Sequence, residues 1–171
     1  PEQRLIPRDS CAGLGEQLAC HEEMARAGAP GPVNAIGVTN IAPAIMSHGS
    51  ADQQERFLPG IVAGTELWAQ GYSEPNAGSD LANVATRAEP DGAGGYTLHG
   101  QKMWLTNGAR SGVVATLVRD DQGADSVYRN MTTFLIEKEP GFGEVRPGLS
   151  IPRKIDKMGF KGIETTEMLL D

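Results

Sequence analysis

From Leu14 to Arg26 apolar residues recur with a 3.6-residue period: Leu14, Leu18 and Ala25 share one face with Met24 at its flank, while Glu16, Glu22 and Glu23 point away. The spacing predicts an amphipathic helix. A second helical stretch over roughly 40–48 stops at Gly49. Ser50 then caps a third, with Gln53 completing a Ser-x-x-Gln capping box and Phe57 and Leu58 as apolar anchors. Pro59-Gly60 and Gly64 are expected to break that helix. Near Thr65 the period changes, and short strand-like runs follow at 67–69, 83–88, 96–105, 113–118, 132–136 and 164–170. Asp91-Gly92-Ala93-Gly94-Gly95 supplies the positive φ angles of a reversal and joins two runs as a hairpin, while Pro140-Gly141 and Pro147-Gly148 punctuate later segments. The expected fold is α+β: an N-terminal helical segment over 1–65, then an antiparallel β-sandwich or barrel over 66–171.

Composition narrows the function classes. A chain of 171 residues with 39% hydrophobic content fills a core, and a net charge of −7 without a basic cluster argues against a nucleic-acid or anionic-membrane surface. Apolar runs are short, and Pro1-Glu2-Gln3-Arg4 lacks a signal-peptide pattern, so a soluble, cytoplasmic protein without stable membrane insertion is expected. Cys11 and Cys20 are too few for a disulfide framework or a zinc site and read as reduced thiols. His21-Glu22-Glu23-Met24 lacks the second histidine of a metal helix, because position 25 is Ala25; no metal is expected. Gly13-x-Gly15-x-x-Leu18 fails the dinucleotide fingerprint, and no Gly-x-Ser-x-Gly elbow accompanies His21, His48 or His99. The histidines therefore read as structural, His21 as a hydrogen-bonded core residue and His48 at a helix C-terminus.

Two strings carry the candidate chemistry: Tyr72-Ser73-Glu74-Pro75-Asn76-Ala77-Gly78-Ser79-Asp80, and Lys102-Met103-Trp104-Leu105-Thr106-Asn107-Gly108. Each follows or ends a predicted strand. Glu74 must be extended because Pro75 follows it, and Asn76-Ala77-Gly78 then turns sharply, leaving the amides of Gly78 and Ser79 as an anion-binding nest. Together the strings supply hydroxyls, backbone N–H groups and one large flat indole, the parts that a flavin ring and its pyrophosphate require.

The pairing resembles the acyl-CoA dehydrogenase family, whose middle domain carries a Thr/Ser-Glu-Pro-x-Ala-Gly-Ser-Asp segment and a Lys-x-Trp-x-Thr-Asn-Gly segment at about this separation. The likeness extends to Glu22-Glu23-Met24-Ala25, to His48-Gly49 through Arg56-Phe57-Leu58-Pro59, and to Lys157-Met158-Gly159 through Asp171. It implies FAD as cofactor, with Tyr72 and Ser73 at the pyrimidine edge, Gly78 and Ser79 at the pyrophosphate, Trp104 packed on the ring and Thr106 donating toward N5 and O4. Gln70, where some members carry an aromatic residue, and Leu105 complete the implied cofactor set, and Ser79 would also border the acyl-CoA. The implied reaction is α,β-dehydrogenation of an acyl-CoA thioester to the trans-2-enoyl-CoA, with an electron-transfer flavoprotein or similar acceptor and an oligomeric enzyme. Family members run to roughly twice this length and carry the glutamate base in a later helical bundle. No catalytic residue is assigned here, Glu74 reads as structural, and the 171 residues alone are expected to turn over weakly or not at all. An acyl-CoA oxidase, a related flavin monooxygenase and a non-catalytic subunit of a heteromer are the alternatives.

Overall fold

The computed structural model describes residues 13–120 and 126–171, and the chain divides into two compact units with the boundary between Thr65 and Glu66. In the first unit, α1 (Leu14–Arg26) starts at Gly13, whose N–H donates to Glu16 Oε2 at 2.8 Å. None of its residues is buried; Leu14 is 73% exposed and Leu18 is 55% exposed. His21 is therefore not a core residue as the sequence suggested: it lies exposed on this helix, with Nδ1 2.7 Å from the Gln17 carbonyl. Cys20 is a free, exposed thiol, and Cys11 lies outside the described residues.

A π-helical turn at Gly37–Ile41 runs directly into α2 (Ala42–His48), which Gly49 ends by donating its N–H to the Ile45 carbonyl at 2.8 Å. The predicted capping box opens α3 (Ala51–Ala63): Ser50 N–H donates to Gln53 Oε1 at 2.9 Å, and Gln53 N–H to Ser50 Oγ at 3.2 Å. The helix continues through Pro59-Gly60, against expectation, and stops at Gly64 with φ 68°. Burial decides this. Phe57, Leu58 and Ile61 are each at most 6% exposed, and burying three such side chains at ~1.5–3 kcal/mol each outweighs the ~3 kcal/mol cost of an interior proline.

The second unit is an eight-stranded, mostly antiparallel sheet: β1 (Trp68–Gly71), β2 (Arg87–Pro90), β3 (Tyr96–Thr106), β4 (Val113–Arg119), β5 (Met131–Glu137), β6 (Gly143–Arg146), β7 (Leu149–Ile151) and β8 (Thr165–Leu170). The order is β1-β4-β2-β3-β8-β7-β6, with β5 also paired to β4. β1 runs parallel to β4, from Trp68 opposite Val113 to Gly71 opposite Thr116. The chain between them is long enough for the crossover that parallel pairing requires. Asp91 closes the β2–β3 hairpin, its Oδ1 accepting from the N–H groups of Ala93 at 2.7 Å and Gly95 at 2.9 Å. The β6–β7 hairpin reverses at Pro147-Gly148, with Gly148 at φ 74°. Ala69, Leu105, Val114, Leu149, Ile151 and Met168 belong to the core between these strands.

The strand expected over 83–88 is instead a short 3-10 turn, Leu81–Asn83, followed by β2. Side chains hold the backbone groups that a strand would pair. The Arg119 guanidinium donates to the carbonyls of Ala82 at 3.1 Å and Val84 at 3.3 Å. The Glu74 carboxylate accepts from the amides of Ala85 and Thr86.

Candidate functional site

The first string leaves β1 and reverses within four residues: Glu74 N–H donates to the Ala77 carbonyl at 2.8 Å, and Ala77 N–H to the Glu74 carbonyl at 3.2 Å. This pins the Glu-Pro-Asn-Ala turn and leaves Gly78, Ser79 and Asp80 exposed. Gly78 is not among the glycines with positive φ, and a Cβ there meets nothing within 4 Å. Neither its conformation nor its neighbours call for glycine. What the missing side chain leaves is an open approach to the backbone, as a bulky anion at these amides needs.

The second string ends β3 in two non-glycine residues with positive φ, Trp104 at 68° and Asn107 at 61°. Trp104 is the extra residue of a β-bulge: the pairing of β3 with β8 shifts register between Met103 and Leu105. Left-handed backbone at a bulky residue costs about 1–3 kcal/mol. Here it delivers an indole that is 55% exposed, beside a half-buried Thr106. The turn that follows is tightly held. Ala109 N–H donates to Glu164 Oε1 at 2.7 Å, Asn107 N–H to the Glu164 carbonyl at 3.1 Å, and the Lys138 ammonium to the Ser111 carbonyl at 2.7 Å. Burial holds the Lys138 ammonium below its ordinary value, although Glu164 and Glu139 pull it back.

Three hydrogen bonds join the strings. Met103 N–H donates to the Ser73 carbonyl at 2.9 Å. The Lys102 ammonium donates to Glu74 Oε1 at 2.8 Å and to the Tyr72 carbonyl at 3.2 Å. Burial, the largest influence on Glu74, works to raise its carboxyl, but bonds from Lys102 and from the amides of Ala85 and Thr86 together hold it below the usual carboxylate range. Burial lowers the Lys102 ammonium, and Glu74 opposes that. The two directions disagree about the charged pair. The carboxylate decides, because its two amide donors, at 2.7 and 2.9 Å, stabilise it independently of Lys102.

Of the eight residues that sequence reasoning singled out, Tyr72 and Ser73 are half-buried and joined to the second string, Gly78 and Ser79 sit on the exposed turn, and Trp104 and Thr106 flank the bulge. Leu105 is 0% exposed, backbone included, and lies in the core, so the fold gives it a packing role and no ligand contact within this chain. Gln70 is half-buried on β1 opposite Ala115. Sequence reasoning missed Lys102. The signal was present: a period of two along β3 puts Lys102 in phase with Leu98, and a charge on that phase requires a buried partner. A flat apolar indole, a neighbouring hydroxyl and an open glycine-bearing turn fit a dinucleotide with an aromatic ring system.

Residues 9–65 match the description "Acyl-CoA dehydrogenase, N-terminal domain", and residues 69–171 match "Acyl-CoA dehydrogenase, middle domain". The chain is 38% identical over 143 residues to acyl-CoA dehydrogenase IpdE1 of Mycolicibacterium smegmatis, covering 78% of this chain and 36% of the relative. It is 34% identical over 163 residues to the mitochondrial isovaleryl-CoA dehydrogenase of Pongo abelii, covering 94% and 37%. Among solved structures, a chain of the ChsE4-ChsE5 complex from Mycobacterium tuberculosis matches with a TM-score of 0.72 and 33% identity, covering 91% of this chain and 37% of that one. The chain spans about a third of the length of the curated relatives it matches.

Proposed function

The chain belongs to the acyl-CoA dehydrogenase family, and from that premise we propose that it forms the FAD-facing part of an enzyme that converts an acyl-CoA thioester to its trans-2-enoyl-CoA. The reaction breaks one Cα–H and one Cβ–H bond, sending a proton to a base and a hydride to an acceptor. Bound FAD supplies that hydride acceptor. The rest is orientation and electrostatics. Trp104 offers its exposed indole to the ring, and Thr106 a hydroxyl donor at the edge where charge develops. Tyr72 and Ser73, with Gln70, bound the pyrimidine side. Gly78 and Ser79 present the open turn to the pyrophosphate, with Ser79 also bordering the thioester substrate. Glu74 is saturated by Lys102 and two amides and takes no proton from substrate. The base is assigned to no residue of this chain, and an electron-transfer flavoprotein or similar carrier is the proposed acceptor of the electrons.

The observation that carries this reading is the strained, bulged Trp104, whose indole stays more than half exposed. Purification of the protein with one equivalent of FAD is the expected result, and bleaching of its visible band by an acyl-CoA is expected only where a base from outside these residues is supplied. A protein that takes up no FAD overturns the reading. A second reading, a subunit that needs a different dehydrogenase-like partner, is favoured by the similarity to a chain of the ChsE4-ChsE5 complex. Co-purification of a second such chain tests it.

A further inference from the structure

The Lys102–Glu74 pair is buried, with side-chain exposures of 0% and 7%. A pair so placed is a poor route to stability, since well-packed apolar residues of similar volume serve as well or better. Its position is more informative than its strength. Lys102 bridges the two strings at the Tyr72 carbonyl, one residue before the hydrogen bond from Met103 N–H to the Ser73 carbonyl.

The Tyr72 carbonyl and the Ser73 N–H belong to one peptide unit. No described peptide bond is cis, so this unit is planar with its carbonyl and N–H pointing in opposite directions. A buried ammonium on the carbonyl therefore faces away from the N–H, and polarises the unit so that the N–H becomes a stronger donor. The next peptide plane is fixed by Met103, whose N–H donates to the Ser73 carbonyl. Resting on the assignment of Ser73 to the pyrimidine edge, we propose that Lys102 is a positioning residue that sets the flavin's reduction potential through the Tyr72–Ser73 peptide. The strengthened donor meets the negative charge that spreads to the pyrimidine edge on reduction, so the protein holds the reduced form more tightly than the oxidised one. Glu74 supplies the counter-charge that keeps Lys102 protonated while buried, and its amide bonds to Ala85 and Thr86 fix where that ammonium stands.

The test is a redox titration of the FAD-loaded protein and of the Lys102→Met/Glu74→Gln double variant, which removes both charges together and leaves no buried ion unpaired. The expected result is a full FAD complement in both, with reduction of the variant about tenfold less favourable, which for a two-electron couple is a midpoint about 30 mV more negative. A role limited to folding weakens affinity for FAD or lowers the melting temperature without that signed shift. Full FAD loading with an unchanged midpoint overturns the proposal. Where the double variant does not load, 15N-serine labelling of the unaltered protein decides: a downfield move of the Ser73 amide proton on flavin reduction supports the proposal, and no movement overturns it. Failure of the unaltered protein to bind FAD instead overturns the proposed function, so the two failures are distinguishable.

Discussion

The Lys102 ammonium and the Glu74 carboxylate stand 2.8 Å apart with side chains 0% and 7% exposed, tying β3 to the turn that leaves β1. Removing one partner leaves the other buried and charged, which costs about 3–5 kcal/mol. Lys102→Met and Glu74→Ala are each expected to lower the unfolding free energy by an amount in that range. The double variant Lys102→Met/Glu74→Gln is expected to recover part of the loss, because no uncompensated charge remains although one of the two amide donors loses its acceptor. Urea titrations of the three variants check both statements, and a double variant as unstable as the sum of the singles contradicts the account.

The same pair sets an acid limit. Glu74 has its folded pKa below the ordinary carboxyl value of 4.5, so the unfolded chain takes up the proton first as pH falls. Its contribution to stability is full above the ordinary value and is lost as pH drops through the folded one. The unaltered protein should therefore lose stability below about pH 4.5 more steeply than Glu74→Gln, which has no carboxyl to protonate. Unfolding free energies measured from pH 6 to pH 3 check this; parallel curves for the two proteins refute it.

Most of the fold was legible because local signals and burial agreed. The capping box at Ser50 and Gln53, the Asp91–Gly95 reversal and the strand-like runs on β3, β4, β5 and β8 all gave the right elements. The failures lie where long-range contacts override local preference. Pro59 stays helical because Phe57, Leu58 and Ile61 are buried on one face, and residues 83–86 leave the strand state because Glu74 and Arg119 take their backbone groups. β6 and β7 were missed because the flanks of Pro147-Gly148 are too short to show a period. At the site, the residue types were readable but the bulge was not, since no local rule puts a tryptophan at positive φ.

That bulge separates stability from ligand binding. Trp104→Gly removes the left-handed strain, on the order of 1–3 kcal/mol, which offsets the loss of an indole that is more than half exposed. The variant is expected to melt no lower than the unaltered protein while binding FAD at least tenfold more weakly. Trp104→Phe, which keeps a ring and the strain, should fall between them in affinity. Thermal melts and FAD titrations on the same preparations check the split, and a loss of stability in Trp104→Gly without loss of affinity refutes it.

Gly100 connects the sheet to the site from behind. It has φ 149°, and a Cβ there would stand 2.7 Å from Thr86 Cα and 2.8 Å from Thr86 Cβ. The first of these neighbours is backbone, so no rotamer change relieves the clash. Gly100→Ala must push Thr86 away, and Thr86 N–H is one of the donors to Glu74, at 2.9 Å. Overpacking of this kind costs about 1–3 kcal/mol, and the strained φ adds to it. The expected result is a destabilised protein in which the protection of the Thr86 and Ala85 amides against hydrogen exchange falls more than that of the β4–β5 ladder, because the displaced element is the one Glu74 holds. Uniform loss of protection across both regions would show instead that the clash is absorbed by the whole sheet.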